Sequence, residues 1–167
     1  MTSQQEMAVN ILFQHKDISA PTGLSEEEKL LPEFFRNGGF TTHMIGKWHL
    51  GFCKKAYRPT SRGFDTFFGF YGGQITYYQH MVEKMPSGGY LINDYYSDDK
   101  PIFQDSYCGS DFTQEAIKIA NQSKNKPFFI YLAYAVPHLP LSASEWWKKQ
   151  IRMSFPNGGR HLSYEQM

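Results

Sequence analysis

Cysteine is nearly absent: Cys53 and Cys108 are the only two in 167 residues. Two thiols make no disulfide framework, and the sequence leaves open whether they pair or stay free. Excess charge of one sign is absent as well. Against 17 Lys and Arg stand 16 Asp and Glu, a net charge of +1. That balance argues against a dedicated nucleic-acid binder, which is usually strongly basic. No apolar run is long enough to span a membrane. The polar opening Met1-Thr2-Ser3-Gln4-Gln5-Glu6 lacks a signal peptide's apolar stretch, and taken literally points to the cytosol. Internal repeats and low-complexity tracts are missing too. Aromatics are abundant, at 17%. Many lie in glycine-containing stretches such as Phe67-Phe68-Gly69-Phe70-Tyr71-Gly72-Gly73, so not all of them line helices or strands. The length is that of one domain with enough chain to bury a core.

Residues 1–22 are polar and irregular, with one apolar patch at Val9-Asn10-Ile11-Leu12-Phe13, and residues 23–167 form the domain. Ser25-Glu26-Glu27-Glu28 is an acidic turn that resembles a capping box. A short helix is expected after it, with Pro32 in its first turn, an apolar face of Leu31, Phe34 and Phe35, and Gly38-Gly39 at its end. A strand follows over Thr41–Trp48. A helix feeding a strand indicates an α/β fold. Residues 51–110 show weak periodicity and read as functional loops or small antiparallel strands. A helix begins around Asp111, capped by Asp111 or Ser110, with Phe112, Ala116, Ile117 and Ala120 at helical spacing. The continuous apolar run Phe128–Ala135 suits a buried parallel strand. Trp146-Trp147-Lys148-Lys149 suits a short surface helix.

The sharpest local signal is Gly46-Lys47-Trp48-His49-Leu50-Gly51. Residues two apart on a strand share a face, so Lys47 and His49 project together and Trp48 turns away. A Lys is a point charge for an anion, and a His moves a proton near neutral pH. Taken alone, such a pair is most often a solvated strand edge. In open α/β sheets, however, sites form at the carboxyl ends of the strands. Lys47 and His49 close one expected strand, and His138 lies just beyond another, between two prolines. Taken alone, His138 reads as a loop histidine.

Longer strings extend this signal. Thr41-Thr42-His43-Met44-Ile45-Gly46-Lys47-Trp48-His49-Leu50-Gly51 is followed by Arg58-Pro59-Thr60 and by Arg62-Gly63-Phe64-Asp65-Thr66-Phe67-Phe68-Gly69. Leu30-Leu31-Pro32 precedes them, and Phe128–Ala133 and His138-Leu139-Pro140-Leu141 come after. In this order the strings resemble the sulfatase family, in its arylsulfatase B-like branch, from about Gly23 to about Leu141. The resemblance implies an alkaline-phosphatase-like α/β domain, present here as a partial catalytic domain with a mostly parallel sheet flanked by helices. It implies hydrolysis of sulfate esters, of glycosaminoglycan sugars or of aryl sulfates, in a lysosomal or secreted protein. Asn121-Gln122-Ser123 then reads as a glycosylation sequon. By the same resemblance Lys47 contacts the sulfate, His49 contacts the nucleophile and helps expel sulfate from it, and His138 helps the leaving alcohol. Fixed cations stabilise charge on the non-bridging oxygens, and a protonated imidazole spares departure of a bare alkoxide.

The family's nucleophile is a cysteine, converted to formylglycine, within Cys-x-Pro-Ser-Arg or a near variant. That string is absent: Cys53 precedes Lys54-Lys55-Ala56-Tyr57, and Cys108 precedes Gly109-Ser110-Asp111-Phe112. The chain is therefore expected to begin just after that string and to be inactive alone. The family's Ca2+ ligands, an Asp-Asp pair and a later Asp-Asn, are not identifiable either. Asp98-Asp99 lies in the wrong segment and reads as a solvated turn. Gln74 stands near a sulfate-contacting serine of many relatives and is a weak substitute for it. Tyr57 replaces a disulfide cysteine. Tyr77, Tyr78 and His80 could stack on a sugar but read better as loop packing. Two rivals remain. One is a non-catalytic relative that binds sulfated glycans or a protein partner. The other is a phosphatase or phosphodiesterase with a Ser or Thr nucleophile, against which the Lys-Trp-His string argues.

Overall fold

The computed structural model describes residues 23–83, 91–138 and 142–154. The apolar patch Val9–Phe13 and the string Leu139-Pro140-Leu141 lie outside the described residues.

Three parallel strands form the spine: β1 (Thr41–Lys47), β2 (Thr66–Phe70) and, further along the chain, β7 (Phe128–Ala133). Between β2 and β7 come β3 (Met81–Glu83), β4 (Leu91–Asn93), β5 (Tyr96–Ser97) and β6 (Lys100–Pro101). One sheet has the order β6-β5-β2-β1-β7, with β5 and β6 antiparallel, and β3 pairs with β4 in a separate ribbon. The expected mostly parallel α/β sheet is present. The irregular stretch after residue 51 does contain short antiparallel strands.

Alternation along β1 builds a core on each face. Met44 packs with Trp48, Phe64, Phe67 and Tyr71. Ile45, on the other face, packs with Phe70, Phe112 and Ile119. Full burial of such side chains contributes about 1.5–3 kcal/mol each.

Helix α1 (Leu31–Asn37) holds Pro32 in its first turn and stops at Gly38, as expected. Its N-terminus is closed by Glu33, whose carboxylate accepts the Leu30 N–H at 3.2 Å. The Ser25–Glu28 segment is a turn, as expected, closed by Glu28 N–H to Ser25 O at 3.2 Å, and it does not cap the helix. Leu31 and Phe34 are exposed, at 59% and 64%, so the expected apolar face is corrected. The inward residues are Pro32 and Phe35, three apart, and Phe35 stacks on Phe129 with ring centroids 4.2 Å apart.

Helix α2 (Cys108–Gln122) starts three residues before the expected position. The Tyr77 carbonyl accepts the Cys108 N–H at 2.9 Å, and Tyr107 O accepts those of Ser110 and Asp111. Cys108, Phe112 and Ile119 face inward, while Ile117 and Ala120 are exposed. Asp111 is not the cap. It lies in the first turn and accepts bonds from Tyr95, Gln104 and Ser106.

β7 is parallel to β1, as expected, but it ends the described sheet and is only partly covered. Phe128 and Tyr131 are 38% and 51% exposed. A continuous apolar run thus marks a strand here without marking one buried on both faces. Helix α3 (Glu145–Ser154) carries Trp146 and Trp147 exposed, as expected of a surface helix.

Candidate active site

The carboxyl ends of β2, β1 and β7 lie side by side. Gly46 is in register with both Gly69 and Ala133. Gly46 has φ +102, and a Cβ there would fall 1.9 Å from Ala133 O. A Cβ on Gly69 would fall 2.1 Å from Gly46 O. Glycine is what lets three backbones close up at this end of the sheet.

β1 ends at Lys47, yet its neighbour is followed for two more residues. Trp48 N–H donates to Phe70 O and His49 N–H to Tyr71 O, each at 3.0 Å. Trp48 is buried with Met44, on the face opposite Ile45, as alternation requires. Its indole N–H lies 2.9 Å from the carbonyls of Gly51 and Tyr57. His49 departs from the extended expectation. Its φ is +58, in the left-handed region, which costs a non-glycine residue about 1–2 kcal/mol. Lys47 is half-buried, and burial lowers its pKa from the ordinary value. A cation held short of full hydration has that cost offset by an incoming anion.

His138 is exposed and stands five residues past β7. Its N–H donates to Ala135 O at 2.9 Å, and its carbonyl accepts the Tyr77 hydroxyl. Because β1 and β7 are adjacent and parallel, Lys47, His49 and His138 leave the same end of the sheet. Gln74, half-buried, follows β2 at that end. Asn121 is exposed near the end of α2, which leads into the start of β7, and so belongs to the opposite end.

The aromatic candidates are packing residues. Tyr77 is 3% exposed and His80 is fully buried, stacked on Tyr95 at 3.9 Å. Burial lowers the His80 pKa, and its Nδ1 lies 3.0 Å from Gln104 O. Asp98 and Asp99 are exposed, but they are not merely a solvated turn. Asp98 accepts the Phe67 N–H at 2.8 Å, and Asp99 pairs with Arg58 at 2.9 Å. Cys53 is an exposed and Cys108 a buried free thiol, which closes the pairing question.

Sequence reasoning missed Asp94. It is 7% exposed, its carboxylate accepts the N–H groups of Tyr71 (3.0 Å) and Gly72 (2.7 Å), and burial pushes its pKa up to about 6. It thereby braces the turn just after β2. Arg62 and Asp65 belong to the framework. Buried Arg62 donates to the carbonyls of Leu24, Ser25 and Glu28, and Asp65 accepts the N–H and the hydroxyl of Thr42. Among the described residues no three of His, Cys, Asp and Glu cluster closely enough to hold an ion. The calcium implied by the resemblance has no seat among them.

The sulfatase family pattern matches residues 1–165. The chain belongs to the sulfatase family. It is 40% identical over 137 residues to mouse arylsulfatase J, covering 78% of this chain and 23% of that protein. It is 30% identical over 130 residues to human N-acetylgalactosamine-6-sulfatase, covering 74% and 24%. This sulfatase chain thus spans about a quarter of the length of those relatives. The crystal structure of Ps i-CgsB with k-i-k-neocarrahexaose matches with TM-score 0.70 at 23% identity, over 87% of this chain and 34% of the other. That likeness carries the fold. The structure of BT4656 with its substrate D-glucosamine-2-N,6-O-disulfate matches with TM-score 0.57 at 25% identity, over 85% and 24%.

Proposed function

We propose that this sulfatase chain supplies the sulfate-binding and leaving-group side of an active site for sulfate esters of sugars. The observation that carries the reading is the half-buried Lys47, its pKa lowered by desolvation, at the carboxyl end of β1 between two parallel neighbours. A sulfate oxygen beside it restores the charge balance that burial disturbed. His49 serves the nucleophile's side of sulfate. His138, five residues past the adjacent strand, serves the bridging oxygen, where protonation lets a sugar alkoxide leave as an alcohol. Gln74, past β2, adds a hydrogen-bond donor to the sulfate. The relatives named for N-acetylgalactosamine sulfate and the neighbour solved with a disulfated glucosamine support a sugar as the substrate class.

The nucleophile is the missing part. Cys108 is buried with its thiol pushed up to about 12, unfit for attack. Cys53 lacks the flanking string that the family requires. The 167-residue chain alone therefore binds without turning over. That same absence favours a second reading, a non-catalytic sulfatase-like protein that holds sulfated glycans. The catalytic reading also places the protein in the lysosome or the secretory route, with exposed Asn121 open to a glycan.

The test is a titration of the purified chain with inorganic sulfate and with N-acetylgalactosamine 4-sulfate, alongside aryl sulfate turnover with and without an added segment carrying the cysteine string. Binding that disappears in Lys47→Ala, with turnover only when the string is supplied, supports the catalytic reading. Binding without turnover in both forms selects the glycan-binding one. No binding at all removes both.

A further inference from the structure

Tyr77 ties the loop after β7 to the core. Its hydroxyl donates to the carbonyl oxygen of His138 at 2.5 Å and lies 3.3 Å from that of Ala135. His138 N–H in turn donates to Ala135 O at 2.9 Å. One phenol therefore reaches both ends of the bend that carries His138. Tyr77 is itself fixed from two sides. Its ring is 3% exposed and meets Tyr107 edge-on, with centroids 6.0 Å apart and planes at 83°. Its own carbonyl accepts the N–H of Cys108, the first residue of α2. Burial pushes the phenol up to about 12, so the hydroxyl remains a donor through the acid and neutral range.

We propose that Tyr77 is the positioning residue for His138, fixing the backbone from which the imidazole reaches the bridging oxygen of a sulfate ester. This rests on the sulfatase reading of His138 given above. A group that donates a proton in the transition state must be held within hydrogen-bond reach of the leaving oxygen, and a displacement of 1 Å is enough to cost about a hundredfold in rate. His138 is exposed and follows β7 by five residues, so strand pairing alone does not hold it there. The Tyr77 hydroxyl ties that backbone to the core, from a residue whose own carbonyl is bonded to the first residue of α2. A tyrosine that served only to fill the core would have no need of that hydroxyl, and phenylalanine would fill the space as well.

The experiment uses the 167-residue chain and its Tyr77→Phe variant, which keeps the buried ring and removes the donor. The imidazole signals of His138 are followed by NMR, with those of His43 in β1 and the methyls of Ile45 as reporters of the fold. In Tyr77→Phe the His138 signals should move while His43 and Ile45 stay in place. Affinity for N-acetylgalactosamine 4-sulfate should fall about fivefold, the scale of one hydrogen bond, while affinity for inorganic sulfate changes less than twofold. Tyr78→Phe removes a similar bond, 3.3 Å from Ala143 O, and should leave the His138 signals unmoved. A wild-type His138 that responds to the sugar sulfate, with Tyr77→Phe matching it in signal and affinity, overturns the proposal. Equal losses for inorganic sulfate and sugar sulfate overturn it too, since they mark general loosening of the fold. A wild-type His138 that ignores the sugar sulfate fails the sulfatase reading instead, and the proposal falls with it.

Discussion

The N–H of Gly72 donates a 2.7 Å bond to a carboxylate oxygen of Asp94, and a Cβ at position 72 would stand 2.8 Å from that same oxygen. The carboxylate is enclosed, and its pKa rises from 3.8 to about 6 because burial disfavours the charged form. Between those two values the folded chain keeps a proton that the unfolded chain has lost. The stability from this group is therefore fully present below about 3.8 and is lost as pH rises through about 6. The difference across that window is about 3 kcal/mol. Urea unfolding of wild type and Asp94→Asn at pH 4 and pH 7 should show the wild type losing about that much more than the variant. Parallel pH dependence in the two would remove Asp94 as the cause.

Glycines 39 and 46 separate strain from collision. Both have positive φ, +86 and +102, but a Cβ at Gly39 would meet nothing within 4 Å, whereas one at Gly46 would fall 1.9 Å from Ala133 O. Gly39→Ala should cost about 1–2 kcal/mol, the backbone term alone. Gly46→Ala adds overpacking of a strand interface and should cost about 3 kcal/mol or more. Denaturant midpoints decide it, and equal losses would mean that the strands can spread at Gly46.

Arg62 holds three carbonyls of the 24–28 turn with one guanidinium. A lysine cannot reproduce that fork. Arg62→Lys should destabilise the chain by about 2–3 kcal/mol and leave the affinity for inorganic sulfate unchanged. A large loss of sulfate affinity in a still-folded variant would move Arg62 from the framework into the site.

Lys47 and His138 should fail differently in a sulfatase polypeptide that contains this sequence together with the cysteine string. His138→Ala should slow a sugar sulfate much more than an activated aryl sulfate, because a phenolate of low pKa leaves largely unaided. Lys47→Ala should slow both alike, since sulfate is common to them. Equal losses on the two substrates for His138→Ala would leave it a binding role only.

The spine of the fold was legible because it rests on local period and composition. Alternation turns Trp48 to the face opposite Lys47, where the structure buries it with Met44, and the apolar run at Phe128 announces β7. Features set by distant partners were not legible. The inward face of α2 is chosen by packing on Ile45 and Phe70, so helical spacing alone offers Ile117 and Ala120, which the structure leaves exposed, beside Phe112, which it buries. Asp94 has its partners 22 and 23 residues away, and no local pattern marks it. The Arg62-Gly63-Phe64-Asp65 string stood out as a family signature, and its work is to join the 24–28 turn and Thr42 to β2. The site was legible only as far as topology carries it: Lys47, His49, Gln74 and His138 share one end of the sheet.

The contrast between the two thiols has a practical consequence. Cys108 is 1% exposed at the start of α2 with its thiolate strongly disfavoured, while Cys53 lies open on a loop. An alkylating probe should mark the native chain once, at Cys53. A second adduct can form only when α2 lifts from the sheet, so the rate at which the doubly labelled species accumulates is a clock for the opening of that core.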